Sequence, residues 1–394
     1  MIQTKLKDIV LKIESGSRPK GGIKNNTGTI PSLGAEHLMD SGGINISKMK
    51  FVDSVFFKNL NSGVIEQKDI LVVKDGATTG KVSYLDKNFP YEVASINEHV
   101  FRLKIDENKG CSKYVYWYLK SSKGHKQILL DFRGATVGGI TKSFLDKIIF
   151  PLPTLFEQKR IADLLDKVDV LRRKRKQSIQ LLDDYLKSVF YDMFGDPVKN
   201  DKGWKIKLFG EIIKSIRYGT GSPPVYSEIG IPFIRATNIK GGTVVENELK
   251  FITEEEAYKI AKCKITKNNL IIVRSGVNSG DCAIINDKYS GSYAGYDLIV
   301  DIDYPYSVFY NYLINLPYCK SVLLPLSRRA GQPHLNSEQI QRLIFFFPIK
   351  NLQIKFAQIV EQVEKTKSKM QENLKELENL FNSLMNNFLN NNIY

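Results

Sequence analysis

The chain has 394 residues, 57 of them Lys or Arg against 42 Asp or Glu, for a net charge of +15. That length allows two or three domains, 42% hydrophobic content supplies ordinary cores, and the charge favours polyanions such as nucleic acid, although a Lys- and Asn-rich composition accounts for it equally well. No apolar run reaches the roughly eighteen residues of a membrane span, and MIQTKLKDIVLKIESG lacks the parts of a signal peptide, so a cytoplasmic protein is predicted.

The four cysteines, Cys111, Cys263, Cys282 and Cys319, form no CxxC pair, which leaves neither a disulfide framework nor a metal site; they read as packing residues. From the N-terminus, the basic Gly-rich loop Ser15 to Gly22 comes first, with Arg18 and Lys20. The short β-branched runs ILVV (Ile70 to Val73) and KVSYL (Lys81 to Leu85) read as strands, and SKYVYWYLKSS (Ser112 to Ser122) as a short helix.

Between those strands lies KDGATTGK, Lys74 to Lys81, which is not a phosphate-binding loop: only three residues separate Gly76 from Gly80, and Val82 follows the lysine. It reads as a tight strand-to-strand turn whose glycines allow positive φ and close backbone approach, with or without contact to DNA. The loop Asp131 to Gly139 follows, carrying Arg133 and Thr136.

The stretch Thr154 to Pro197 then keeps a helical period through Ile161, Leu165, Val168, Leu171, Ile179, Leu182, Leu186 and Phe190. It stops at Gly195-Asp196-Pro197. About forty residues at ~1.5 Å each make a rod of roughly 60 Å, which needs a partner along its length. From Leu352 to Phe388, Phe356, Val363, Met370, Leu377 and Leu384 recur every seventh residue, a second rod suited to an antiparallel coiled coil with the first.

The two halves repeat each other at an offset near 200. Ile30-Pro31 answers to Ile231-Pro232, Asp69 to Gly76 answers to Asn269 to Gly276, Gly80 to Gly280, and Gln158 and Ala162 answer to Gln353 and Ala357. The second half accordingly has its own loop Tyr218 to Pro224, with Thr220 and Ser222. It also has a turn Arg274 to Asp281, with Ser275 and Asn278, and a loop Leu326 to His334, with Arg328, Arg329 and Gln332.

An α+β fold is predicted: residues 1–152 and 196–349 as two pseudo-two-fold-related globular domains, 153–195 and 350–394 as the long helices that follow them. The recurring Arg, Lys, Thr, Ser, Asn and Gln donors of the Gly-rich loops suit base-edge and phosphate contacts. Lys74, Gly76, Thr78, Thr79 and Lys81 join them as candidate DNA-binding residues. Arg172, Arg173 and Lys176, midway along the first rod, are candidates for contact with DNA between half-sites or with a partner.

Catalytic constellations are missing. His37, His99, His125 and His334 show no metal-ligand spacing and read as surface or satisfied core side chains. No GxSxG occurs, and neither SPPVY nor LPYC serves as a methyltransferase motif.

The entry PLPTLFEQKRIADLLDKVD, the length of the helix, its MFGDP stop and Trp204 opening the second half resemble the specificity subunit of type I restriction-modification systems, over the whole chain. The second copy, NLQIKFAQIVEQVEK, departs from that pattern in lacking the Glu-Gln pair and the Arg.

The resemblance implies a non-catalytic subunit without a cofactor or metal of its own. Each globular half would be a target recognition domain for one half of an asymmetric bipartite double-stranded DNA target, with the helices setting the spacing. It also implies two methyltransferase subunits as partners, restriction subunits bound through them, and no membrane. An orphan coiled-coil DNA-binding or interaction protein without an active methyltransferase is the competing reading.

Overall fold

The computed structural model describes residues 2–23, 28–134, 138–317, 319–321, 325 and 334–390. They fall into two compact units, one of Met1–Gln177 with Gln371–Tyr394 and one of Ser178–Met370.

In the first unit, a four-stranded sheet runs in the order Val10–Ser15, Val100–Ile105, Ile70–Val73, Val82–Tyr84. A second sheet has the order Lys50–Val52, Ile30–Leu33, Ala94–Ile96, Val64–Ile65, its middle pair parallel. The ILVV run lacks polar alternation because it is covered on both faces. Ile70 and Val72 enter a core with Leu103, Trp117 and Tyr118, while Leu71 and Val73 enter another with Leu33, Ile96 and Val100.

The second unit repeats this plan. Its first sheet is Ser215–Tyr218, Leu298–Asp301, Leu270–Ile272, Cys282–Ile284. Leu270 and Ile272 face one core, Ile271 and Val273 the other. Its second sheet keeps three strands, with the parallel pair Ile231–Ile234 and Tyr293–Ala294. Where the first unit has its fourth strand, only the bridge Lys264↔Tyr293 remains. The predicted helix 112–122 is present as Ser112–Lys120, and a second helix, Ser122–Leu129, follows it because the Ser121 side chain accepts the Gly124 N–H and caps a new start.

Helix Leu155–Phe194 is continuous over 40 residues. It ends at Gly195 with φ +79°, and the indole of Trp204 donates to the Phe194 carbonyl at 2.8 Å. In the first unit its early turns pack on the end of helix Lys350–Met385 and on the turn Asn386–Asn390 that continues it: Ile161, Leu165 and Val168 share a core with Phe381, Met385 and Leu389. Arg160 lies over Phe388 and Arg172 over Phe381, so the paired segments run antiparallel. The second unit pairs the complementary segments in the same sense, Asp183 with Lys367 and Phe190 with Phe356.

One position departs from the predicted stripe. Leu171 is 52% exposed, and the inward place goes to Arg172, whose guanidinium covers Phe381 at 4.3 Å.

The repeated sheets differ at one buried place. In the first unit Arg102, 5% exposed, reaches Asp69 at 2.5 Å and Glu14 and Glu66 at 3.2 Å. Burial pushes the Asp69 carboxyl up against the pull of that guanidinium. In the second unit Asn269 replaces Asp69 and keeps the same turn, accepting the Thr266 N–H at 2.9 Å as Asp69 accepts that of Glu66. Strand register sets Ile299 where Arg102 stands. A neutral amide needs no buried cation, so the two positions differ as a pair between the units.

Among the described residues no helix is long and apolar enough to cross a membrane, and no group of three or more His, Cys, Asp or Glu could hold a metal ion. All four cysteines are free and buried.

Arg102→Ile is expected to destabilise the first unit by about 3–5 kcal/mol, because Asp69 loses its partner, whereas Glu14 keeps Lys12 at 2.6 Å. Adding Asp69→Asn should recover more than half of that loss in hydrogen exchange of strand Ile70–Val73. Equal losses in the single and double variants would show that the stranded carboxylate is not the cause.

Candidate nucleic-acid interface

Each doubly buried strand runs directly into a Gly-bracketed turn, and the two turns are the same structure. Gly76 and Gly276 have φ +91° and +92°, Gly80 and Gly280 +83° and +92°. Gly80 N–H donates to Val73 and Gly280 N–H to Val273 at 2.9 and 2.8 Å. With backbone bonds consumed inside the turn, the tip residues Ala77-Thr78-Thr79 and Val277-Asn278-Ser279 are free to differ. Val277 is 98% exposed.

The later loop of each half closes on its turn in the same way. Asp75 bridges Gly139 and Ser275 bridges His334, while Ile140 N–H donates to Lys74 and Leu335 N–H to Arg274, at 2.8 and 2.7 Å. The early loops are anchored by glycines: a Cβ on Gly16 would lie 1.6 Å from the Ile96 carbonyl oxygen, and one on Gly219 would lie 1.6 Å from that of Gly295. Three segments distant in sequence thus meet at one end of each sheet.

In the first unit this end is a network of charges. Arg18 pairs with Glu98 at 2.6 Å, the His99 ring meets Asp75 at 2.5 Å, and Lys74 reaches the Glu98 carbonyl at 3.4 Å. Lys81 lies apart, paired with Asp40 at 2.8 Å. Arg133 is outward, bonded to Asp131; although burial pushes that carboxyl up, hydrogen bonds from Thr141, Ser143 and Arg133 bring it down to about 2. Lys20 and Thr78 are exposed, Thr79 is half-buried and donates to the Gly76 carbonyl, and Thr136 lies outside the described residues.

In the second unit aromatic rings replace the charges. The Arg274 guanidinium lies 4.4 Å from the centre of the Tyr218 ring and 4.3 Å from that of Tyr296, and its Nη2 meets the His334 ring. Tyr218 is fixed in turn by Ser337, whose N–H donates to the hydroxyl at 3.1 Å. Thr220 donates to the Ser222 carbonyl at 2.8 Å, Ser275 and Asn278 are half-buried in the turn, and Arg328, Arg329 and Gln332 lie outside the described residues.

Sequence reasoning did not assign Asp75, Glu98, His99, Tyr218, Tyr296, Asp297 or His334. Tyr296 and His99 were within reach of it, since each stands two residues before a buried apolar strand position, Leu298 and Phe101.

On the long helix, Arg172 and Arg173 both bond Asp169, at 3.2 and 3.0 Å, and Lys176 bonds Glu378 at 2.9 Å. Arg172 is largely inside the helix packing, and Arg173 and Lys176 are each 56% exposed at the side chain.

A match to the family model described as "Type I restriction modification DNA specificity domain" covers residues 3–181 and again 201–379. The specificity subunit of the type I restriction enzyme MjaIX of Methanocaldococcus jannaschii is 27% identical over 69% of this chain and 65% of its own length. The EcoBI specificity subunit of Escherichia coli is 24% identical over 69% of this chain and 62% of its own. The matches thus span less than two thirds of those relatives. Among solved structures, the S subunit of a type I restriction-modification system from M. genitalium shares the fold, with a TM-score of 0.66 at 16% identity over 98% of this chain and 96% of that one.

Asp297, 2% exposed, accepts the Arg274 N–H at 3.2 Å, and burial pushes its carboxyl up to about 6. The folded value lies above the ordinary 3.8, so the stability it contributes is full below pH 3.8 and lost as pH rises through about 6. Asp297→Asn is therefore expected to stabilise the second unit at pH 8, by about 1–3 kcal/mol, and to be neutral near pH 4. Hydrogen exchange of strand Leu270–Ile272 at both pH values checks this; a gain that is the same at both would refute it.

Proposed function

Because this chain belongs to the family of type I restriction-modification DNA specificity domains, with two such domains in tandem, we propose that it is the subunit that gives a type I restriction-modification enzyme its DNA address. The observation that carries this reading is the duplication of one loop cluster, the same turn closed by the same bridge at Asp75↔Gly139 and Ser275↔His334, furnished with different side chains.

Equal scaffolds with unequal tips suit two different half-sites, one read by residues 1–152 and the other by 196–349. The helices 153–195 and 350–394 would act as the coiled-coil spacer that holds their distance. Phosphate contacts fall to outward cations such as Lys20, Arg133, Arg173 and Lys176, and base contacts to the turns. Arg172 serves the helix packing instead.

The chain would work in the cytoplasm with two methyltransferase subunits and, through them, restriction subunits. S-adenosylmethionine chemistry on a flipped adenine would belong to those partners, since no catalytic constellation is assembled among the described residues of the loop clusters. Purified chain incubated with S-adenosylmethionine and DNA is expected to transfer no methyl group; transfer would make it an enzyme in its own right.

Modification-sensitive sequencing of the host genome with and without the gene is expected to lose N6-methyladenine at one gapped, asymmetric motif. Exchanging residues 1–152 for those of a relative should alter one half of that motif and leave the other. No change on deletion would point to an orphan DNA-binding protein, and a change in both halves would end the modular reading.

Removing both exposed helix cations, as Arg173→Gln with Lys176→Gln, should lower the slope of log affinity against log salt by up to about 2. An unchanged slope would remove them from the DNA interface.

A further inference from the structure

We propose that Arg274 is a specificity-determining residue that reads a guanine in the half-site of the second unit. The inference rests on the chain being a DNA-specificity subunit and adds to it a residue and a base.

Four observations support the assignment. Arg274 stands at the base of the turn where the doubly buried strand ends, so its backbone follows fully buried residues, with its N–H on Asp297 at 3.2 Å and its carbonyl on Leu335 at 2.7 Å. Its guanidinium is flanked by the rings of Tyr218 and Tyr296 at 4.4 and 4.3 Å, and these rings are themselves 40% and 47% exposed. The two contacts therefore restrict the guanidinium among half-exposed rings of the loop cluster, with its Nε buried. Nη2 is oriented by His334, and Nη1 has no hydrogen-bond partner among the described residues.

The last observation is a contrast within the molecule. The corresponding residue of the first unit is Lys74, a point charge on a flexible stem; strand register sets Ser15 where the second unit has Tyr218, and the stretch before the strand carries Glu98 and His99 where the second unit has Tyr296. The two half-exposed tyrosines thus accompany the guanidinium, whereas the Lys74 ammonium has one more distant ring, the buried Phe101 at 5.8 Å.

A phosphate anchor needs only positive charge, which Lys74 supplies as well. Holding the plane of a fork is useful where two acceptors lie in a fixed plane, and in the major groove that description fits guanine O6 and N7. Packing against the tyrosines lowers the side-chain freedom lost on binding, so discrimination is preorganised.

The test uses the assembled enzyme, this chain with its encoded methyltransferase subunits, on duplexes carrying the motif found by genome sequencing. The half-site unaffected by the 1–152 exchange is that of the second unit. Each guanine in it is replaced in turn by 7-deazaguanine, which pairs normally but lacks the N7 acceptor.

One replacement is expected to weaken wild-type binding about 10- to 100-fold. Arg274→Lys should bind normal and substituted duplexes alike, with the salt dependence unchanged. The assignment is overturned if no guanine of that half-site responds, or if Arg274→Lys retains the response. The base scan on wild-type protein stands even where a variant misfolds. If the wild-type assembly binds no gapped motif at all, it is the specificity-subunit reading that fails.

Discussion

Burial of one short strand on both of its faces is the constraint from which the rest follows. Ile70–Val73 and Leu270–Val273 each stand between two cores of their unit, so every side chain of the run is committed to packing, and neither register nor direction can drift. A turn that begins at such a strand inherits its rigidity. That is why Lys74 and Arg274 can be presented at fixed positions by loops that are otherwise Gly-rich, and why tip sequences as different as ATT and VNS share one backbone.

Much of the architecture was legible because it is written in long periods and in repetition. The apolar spacing from Ile161 to Phe190, the Gly195 stop and the sevenfold recurrence from Phe356 to Leu384 correspond to helices Leu155–Phe194 and Lys350–Met385. The offset near 200 likewise pointed to a duplicated α+β unit. Periodicity identifies a face but not what fills it. At residues 171 and 172 the pattern favoured leucine, yet the long aliphatic stem and flat head of Arg172 fit over Phe381 better.

The candidate site was less legible. Basic Gly-rich loops stand out in a sequence, and three of them in each half were singled out. The residues that orient them do not stand out, because their role depends on cross-strand neighbours. His99 and Tyr296 lie next to Lys74 and Arg274 only through strand pairing, and His334 reaches Arg274 across sixty positions of chain. Taken singly, these histidines read as surface or core side chains for that reason.

The exchange of Asp69 and Arg102 for Asn269 and Ile299 bears on how such a chain can diversify. Genetic exchange between the two halves, or with a relative carrying the other version, meets a barrier if the crossover falls between the two strands. The hybrid domain then buries an aspartate without its arginine, or an arginine without its aspartate. Crossovers in the stretches that flank a whole domain carry both members together. Under the proposed function, variation in recognition is thereby favoured where entire domains are inherited together or single residues change at the turn tips, and the core of each domain would act as a linkage group.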